Sequence, residues 1–215
     1  FQGNNPVILS SNFSTANLKD WSGVVGIDRL TQSLVQPAAG TQSGQLVAEI
    51  KGAAASYVFD HSPYNTTSYG ASFQFTPAAL AGLNGESIDV FVGRNHSQDL
   101  FTIQVEDDGS GPEVRACATE NDGTVACTDW GHLPSGSHRL GILWQAGAHA
   151  QVILTVDGRY AATLSNLNTA GFELYEVRLG AQGPSLQAGM TGRLTFADFT
   201  STALPYELYV PLVRR

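Results

Sequence analysis

The sequence predicts an all-β protein built as an antiparallel β-sandwich, and three observations support that prediction. Apolar and polar residues alternate with period two in many short segments, which is typical of strands with one buried face. Glycine is abundant, at 23 of 215 residues, and only 14% of the residues are charged, which favours short strands joined by tight turns. Segments with a helical period are few and short. We therefore expect one sandwich domain.

The predicted strands follow one another at regular spacing, with Gly, Asn and Asp between them. In chain order they cover residues 7–10, 24–28, 34–36, 45–50, 56–60, 67–75, 88–92, 100–105, 138–145, 151–156, 160–164, 174–181 and 192–201. The Asp157-Gly158 pair predicts a two-residue hairpin turn between two of them. Residues 77–83 and 164–174 each predict one short turn of helix.

The sandwich domain is expected to cover residues 4–202, since no linker divides this stretch. The first three residues, FQG, match the end of a common protease-cleavable tag, and we interpret residues 1–3 as a tag remnant. Residues 203–215 are expected to form an edge segment or a tail, because Pro205 and Pro211 exclude a central strand.

The charge pattern and the length of the apolar runs exclude two classes of partner. The net charge is −8, and no stripe of Lys and Arg is present to follow a phosphate backbone, so we expect no nucleic-acid partner. No apolar run approaches the roughly 20 residues of a transmembrane helix, so we expect no membrane insertion.

The two cysteines predict a cross-strand disulfide. Cys117 and Cys127 flank a Glu-Asn-Asp-Gly turn signal, and a hairpin centred on Asp122 places them directly opposite each other. The spacing does not suit a redox CxxC motif, and no further cysteine could complete a thiolate-rich zinc site. A disulfide indicates an oxidising compartment.

Several motifs resemble a known family. The segments LYEVRLGA (174–181) and GRLTFADFTS (192–201) resemble the closing strands of a concanavalin A-like (laminin-G-like) jelly-roll domain of secreted bacterial proteins. SNF at 11–13, WSG at 21–23 and the strand ending in Trp144 resemble earlier parts of the same domain. The resemblance implies a jelly-roll sandwich that is secreted or exposed on the cell surface.

The resemblance also implies a metal. Family members often hold a structural calcium where the first and last strands meet, using acids in a motif like YFDDF. The matching stretch is TFADF at 195–199, in which Ala197 replaces one acid. The implied calcium ligands are Asp198 and Asn12, although Asp198 could instead bond to the backbone at a strand end.

Paired carboxylates, which glycosidases of this superfamily need on one strand face, are difficult to find in the chain. Glu106 and Asp108 have the right parity, but they run into a turn-like stretch where solvated acids are common. Other acid pairs are three residues apart, which places them on opposite faces of a strand. We therefore expect no catalytic residues and no enzyme activity.

A glycan site would use exposed aromatic rings supported by polar groups. The predicted ligand-binding residues are Tyr64, Tyr69 and Trp130, with Arg94 and His96 as hydrogen-bonding partners.

The sequence thus predicts a secreted, non-catalytic binding module that recognises a carbohydrate or a cell-surface protein. One alternative is a structural or assembly subunit of a cell-surface filament or adhesin that self-associates through residues 206–213. A second alternative is a polysaccharide-cleaving enzyme.

Overall fold

The computed structural model describes residues 6–14, 18–35, 43–81 and 85–204, and strands are the main regular structure in these ranges. The strands are β1 (Val7–Ser11), β2 (Gly23–Val25), β3 (Leu30–Val35), β4 (Ser43–Lys51), β5 (Ser56–Asp60), β6 (Ser68–Ala81), β7 (Ile88–Arg94), β8 (Asp99–Asp107), β9 (Pro112–Thr119), β10 (Val125–Cys127), β11 (Gly131–His132), β12 (His138–Gln145), β13 (Ala150–Val156), β14 (Arg159–Leu167), β15 (Glu176–Gln182) and β16 (Thr191–Ala203). One 3-10 turn covers Ile27–Arg29. Within the described ranges, no helix is long and apolar enough to span a bilayer.

The strands form two antiparallel sheets that pack face to face. The first sheet has the spatial order β14-β13-β12-β6-β16-β4-β3, with β1 also paired to β16. The second sheet has the order β10-β9-β8-β7-β15-β5-β2, with β11 also paired to β9. Both orders contain neighbours that are far apart in sequence, so the chain crosses repeatedly between the sheets. The predicted all-β antiparallel sandwich is confirmed.

Aromatic side chains fill the space between the sheets. The ring of Phe73 on β6 lies 5.6 Å from that of Phe91 in the second sheet and 5.9 Å from that of Phe196 on β16. These residues are fully buried, as are Tyr69 and Trp144. Alternation along each strand therefore turns the opposite side chains away from this core.

The helical turn predicted over residues 77–83 is wrong where the structure describes it. Strand β6 continues to Ala81, and β16 pairs with it as far as the Thr191–Ala81 pair. Pro77 is tolerated because β12 stops pairing at Phe75, which leaves β6 without a partner on that side. Pairing with β16 thus overrides the helical preference of an alanine-rich segment. Residues 82–84 lie outside the described ranges.

The helical turn predicted over residues 164–174 is also wrong. Strand β14 extends to Leu167 because it pairs with β13 up to the Ala150–Leu167 pair. Leu174 then forms an isolated antiparallel bridge with Thr66.

The predicted Asp157-Gly158 hairpin is confirmed. The two residues have φ angles of 53° and 72°, as the central residues of a type I′ turn require, and they join β13 to β14. The Asp157 carboxylate accepts the Arg139 amide at 2.9 Å and contacts Nδ1 of His138 at 2.9 Å. The turn is thereby tied to the start of β12.

The disulfide is present as predicted. Cys117 on β9 and Cys127 on β10 are direct antiparallel partners, with their Cα atoms 4.0 Å apart. Strand β10 has only three residues, so the covalent link adds greatly to a short pairing.

Removing this link in a C117A/C127A variant is expected to lower the free energy of unfolding by about 3 kcal/mol. The bond closes a loop with a sequence separation of 10, and opening it restores entropy to the unfolded chain. Urea unfolding followed by tryptophan fluorescence measures the loss, and wild-type protein reduced with dithiothreitol should show the same value. An unchanged midpoint would contradict the expectation.

Candidate functional site

The outer face of the second sheet carries two sets of charged, amide and aromatic side chains. Alternation on the middle strands sends Phe91, Ile103 and Ala116 into the core. The registered partners Asp89 and Gln104 face outward together, since a bulge shifts the register of β7 before Phe91, and Arg115 on β9 follows them. Polar contacts on this face extend from β5 to β9, and we take it as the candidate site.

Four rings gather at one end of this face, and we call His61, Tyr64, His96 and Tyr175 the ring cluster. Tyr175 lies at its centre: its ring centroid is 3.8 Å from that of His96, 5.1 Å from that of His61 and 5.5 Å from that of Tyr64. His61 follows β5, His96 lies in the turn between β7 and β8, and Tyr175 precedes β15. Adjacent strands thus bring together residues that are far apart in sequence.

A carboxylate orients one imidazole of the ring cluster. Glu176 Oε2 lies 2.7 Å from His61 Nε2, and the other oxygen of Glu176 accepts Nε–H of Arg178 at 2.6 Å. An ionised carboxylate can only accept, so His61 donates through Nε2. In the neutral ring, Nδ1 is then an acceptor, which is the state that a general base requires.

Two arginines lie beside the ring cluster, and their terminal nitrogens make no hydrogen bond or ion pair in the described part of the chain. Arg94 uses Nε in its contact with Asp99 at 3.2 Å, and its backbone carbonyl accepts the Tyr175 amide at 2.8 Å. Arg178 also uses Nε, and its guanidinium carbon lies 4.8 Å from the ring centre of Tyr57. Both guanidinium groups are therefore positioned by neighbours while leaving terminal N–H groups for an anion.

A second set of polar contacts crosses the middle of the face, and we call Gln182, Asp89, Gln104 and Arg115 the Asp89 row. Gln104 donates from Nε2 to Asp89 Oδ1 at 2.7 Å and accepts Arg115 Nε–H on Oε1 at 2.9 Å. The Arg115 guanidinium lies 4.2 Å from the ring centre of Trp130. Gln182 is the registered partner of Asp89 on β15.

Burial raises the pKa of Asp89 to about 6, although its hydrogen bond from Gln104 works in the opposite direction. The side chain lies under the backbone of Gly183, where a Cβ added to that glycine would come within 2.7 Å of Asp89 Oδ2. Gly183 has a φ of 113°, so this close approach depends on a residue without a side chain.

Three of the five predicted ligand-binding residues lie at one end of the face. Tyr64 and His96 are in the ring cluster, and Arg94 is next to it. Trp130 lies further along the face, against Arg115. Tyr69 requires a correction: its exposed fraction is 0%, because the inward side of β6 carries it into the core. Tyr69 therefore cannot contact a ligand.

One of the two acids considered for catalysis in the sequence, Asp108, is committed to a turn. Asp108 is exposed in the turn after β8, where its carboxylate accepts the amide and the hydroxyl of Ser110 at 2.9 and 2.7 Å. These bonds lower its pKa. Asp108 therefore stabilises the turn.

Sequence reasoning misses the central residues of both sets. Tyr175 and Glu176 fall in a predicted strand, but the histidine that meets them is 115 residues from Glu176. Asp89 and Gln104 belong to strands that the sequence predicts nearly correctly, and Arg115 lies on β9, of which the sequence predicts only the pairing at Cys117. The available signal is a polar side chain on the outward face of each of these apolar strands.

The implied calcium ligands lie where β1 meets β16, one residue beyond the Ser11–Phe199 pair. The side-chain carbonyl of Asn12 already accepts the Ser14 amide at 3.0 Å, and Asp198 is exposed. Calcium takes six to eight oxygens, and in the described ranges no group of three or more His, Cys, Asp or Glu is arranged to hold a metal ion. Calcium binding here stays a prediction.

Similarity to known proteins is found in structure but not in sequence. No protein-family model and no curated protein matches the chain. The endo-β-1,4-glucuronan lyase of the fungus Trichoderma reesei has a TM-score of 0.64 at 12% identity, over 89% of this chain and 94% of that one. The PL-14 alginate lyase of Aplysia kurodai has a TM-score of 0.63 at 10% identity, over 93% of this chain and 100% of that one. The binding domain of Paraclostridial Mosquitocidal Protein 1 has a TM-score of 0.61 at 12% identity, over 94% and 50%.

At these identities the similarity shows the fold, which is a jelly-roll β-sandwich. The prediction of a non-catalytic binding module as the leading function is corrected by the same comparison, since polysaccharide lyases recur among the similar structures and favour the polysaccharide-cleaving alternative. Toxin binding domains share the fold too, so catalysis depends on the site. Residues 206–213, the predicted self-association segment, lie outside the described ranges.

An Asp89→Asn variant is expected to be more stable than wild type at pH 8 and similar to it at pH 4. Burial raises the folded pKa of Asp89 to about 6, with Asp99 adding to the rise and Arg115 opposing it. The folded state therefore binds a proton at Asp89 more tightly than the unfolded state does. The free energy of unfolding is highest below the ordinary pKa of the carboxyl, and it falls by roughly 3 kcal/mol as the pH rises through about 6.

Denaturant unfolding across this pH range measures the effect. Asparagine keeps the oxygen that accepts from Gln104, so the hydrogen bond is conserved. An Asp108→Asn control, which changes an exposed turn acid, should keep the wild-type fall in stability. A fall of equal size in Asp89→Asn would contradict the assignment.

Proposed function

We propose that the protein is a polysaccharide lyase that cleaves an acidic, uronate-containing polysaccharide by β-elimination on the outer face of the second sheet. The observation that carries the proposal is the ring cluster, in which a carboxylate-oriented imidazole and two phenols lie beside two arginines. The lyases with the same fold support the choice of reaction class.

β-Elimination makes three demands on a protein. The carboxylate of the uronate must be neutralised, so that the hydrogen on C5 becomes acidic. A base must remove that proton, and an acid must protonate the oxygen that leaves C4. The electron pair of the C5–H bond forms the C4=C5 double bond as the C4–O bond breaks, and no water is consumed.

The ring cluster and its arginines meet each demand. Arg94 and Arg178 offer terminal N–H groups to the uronate carboxylate. His61 takes the C5 proton on Nδ1, while Glu176 stabilises the imidazolium that results. The hydroxyl of Tyr175 donates its proton to the leaving oxygen, and exchange with solvent restores both groups.

The compartment follows from the same proposal. A polymeric substrate is met outside the cell, and the Cys117–Cys127 disulfide is stable in an oxidising environment. We propose in addition that the protein is secreted and that it belongs to the concanavalin A-like family.

His61→Asn and Tyr175→Phe are each expected to lower kcat on polyglucuronate or alginate by about 10²- to 10⁴-fold, which is the usual contribution of a general acid or base. The assay follows the ultraviolet absorbance of the new C4=C5 double bond, with cellulose as the uncharged control polymer. Tyr160→Phe is the matched control, since Tyr160 is an exposed tyrosine on β14 of the other sheet. It should retain full activity.

Two results would overturn the proposal. One is the absence of unsaturated product from every uronate polymer tested with folded wild-type protein. The other is unchanged kcat in both variants, which would move the chemistry away from the ring cluster.

A further inference from the structure

Arg115 is a positioned cation that forms no ion pair within 4.0 Å in the described part of the chain, although it attracts the carboxylates of Asp89 and Glu106. Its Nε–H bond to Gln104 and its contact with Trp130 hold the guanidinium in place, while its terminal nitrogens make no hydrogen bond or ion pair in the described ranges. Asp89 fixes the amide of Gln104, because its carboxylate requires the donor end. A preorganised arginine of this kind suits the binding of a carboxylate.

Two buried polar atoms near the Asp89 row make no hydrogen bond within the described ranges. They are Nε2 of Gln182, which is 5% exposed, and Oγ1 of Thr102, which is 9% exposed. Thr102 lies next to Gln104 on the outward side of β8, and Gln182 is opposite Asp89. Unpaired buried polar groups are costly, and because both atoms are almost fully shielded from solvent, they underlie this part of the face and do not contact a ligand directly.

These groups lie well away from the ring cluster on the same surface. Three strand spacings separate β15 from β9, and several residues along the strands separate Arg94 from Asp89. With about 4.8 Å per strand spacing and about 3.3 Å per residue, the two sets are roughly 20 Å apart. A chain molecule that reaches both must cross the middle of the sheet.

We propose that the Asp89 row and Trp130 form a second binding site on this face, which holds a non-reacting acidic sugar of the polymer cleaved at the ring cluster. Arg115 binds the sugar carboxylate, and the partly exposed ring of Trp130 packs on the sugar ring. Asp89 and Gln104 act as positioning residues for Arg115. The nature of the sugar rests on the proposed function, whereas the site itself does not.

The test is the dependence of binding on chain length. Oligouronates from disaccharide to decasaccharide are titrated calorimetrically into a His61→Asn protein, which does not consume them. Adding Arg115→Gln or Trp130→Ala is expected to weaken binding of the long oligomers about tenfold or more and to leave the disaccharide unchanged, since Trp and Arg anchors dominate such sites. Trp130→Phe should recover most of the loss. Arg139→Gln, on the outer face of the first sheet, is the matched control.

In the active protein, Arg115→Gln should raise KM for the polymer with little change in kcat. If polymer cleavage proceeds but neither substitution affects long oligomers, the second site is wrong while the proposed function stands. If no substrate is cleaved but long oligouronates still bind through Arg115 and Trp130, the proposed function is wrong while the second site stands. The second site would also be overturned if the substitutions weakened binding equally at every chain length. The same holds if Trp130→Phe, like Trp130→Ala, lost the folded state.

Discussion

The pairing of β6 with β16 is the contact on which the rest of the structure depends. These are the longest strands, with 14 and 13 residues, and they lie side by side in the middle of the first sheet. Their inward rings, including Phe73 and Phe199, meet Phe91 of the second sheet. A shift of one residue in this pairing would turn the core rings outward, so the register is strongly specified. The location of the second sheet follows from that packing.

Core packing also determines what the second sheet presents to solvent. Because Ile103 and Ala116 must face the first sheet, their neighbours Gln104 and Arg115 must face away from it. The bulge before Phe91 brings Asp89 to the same side. These polar side chains become neighbours across strands about 4.8 Å apart, and they bond to one another. The candidate site therefore lies on the outward face of the same strands whose inward face forms the core. The pairing of these strands holds its side chains in place.

Local sequence patterns predict most strands and turns, whereas strand order and the arrangement of the site depend on contacts between residues that are far apart in sequence. The Asp157-Gly158 hairpin and the Cys117–Cys127 pair are predictable because turn chemistry and register act over a few residues. The helical turn at Pro77 is wrong because a strand more than 100 residues later pairs with it. Strand order is equally invisible in a single sequence. Tyr64 and His96 are candidates for their chemistry, yet their meeting at Tyr175 depends on β15 lying between β5 and β7.

The state of the acids near the ring cluster favours elimination over hydrolysis. A glycoside hydrolase needs two carboxyl groups free to act as acid and as base or nucleophile. Here Glu176 is held by His61 and Arg178, and Asp99 is paired with Arg94. The groups left open are an imidazole nitrogen, phenol hydroxyls and guanidinium edges. A uronate brings its own carboxylate, so its cleavage requires cations and a base, and these are the groups that the ring cluster and its arginines offer.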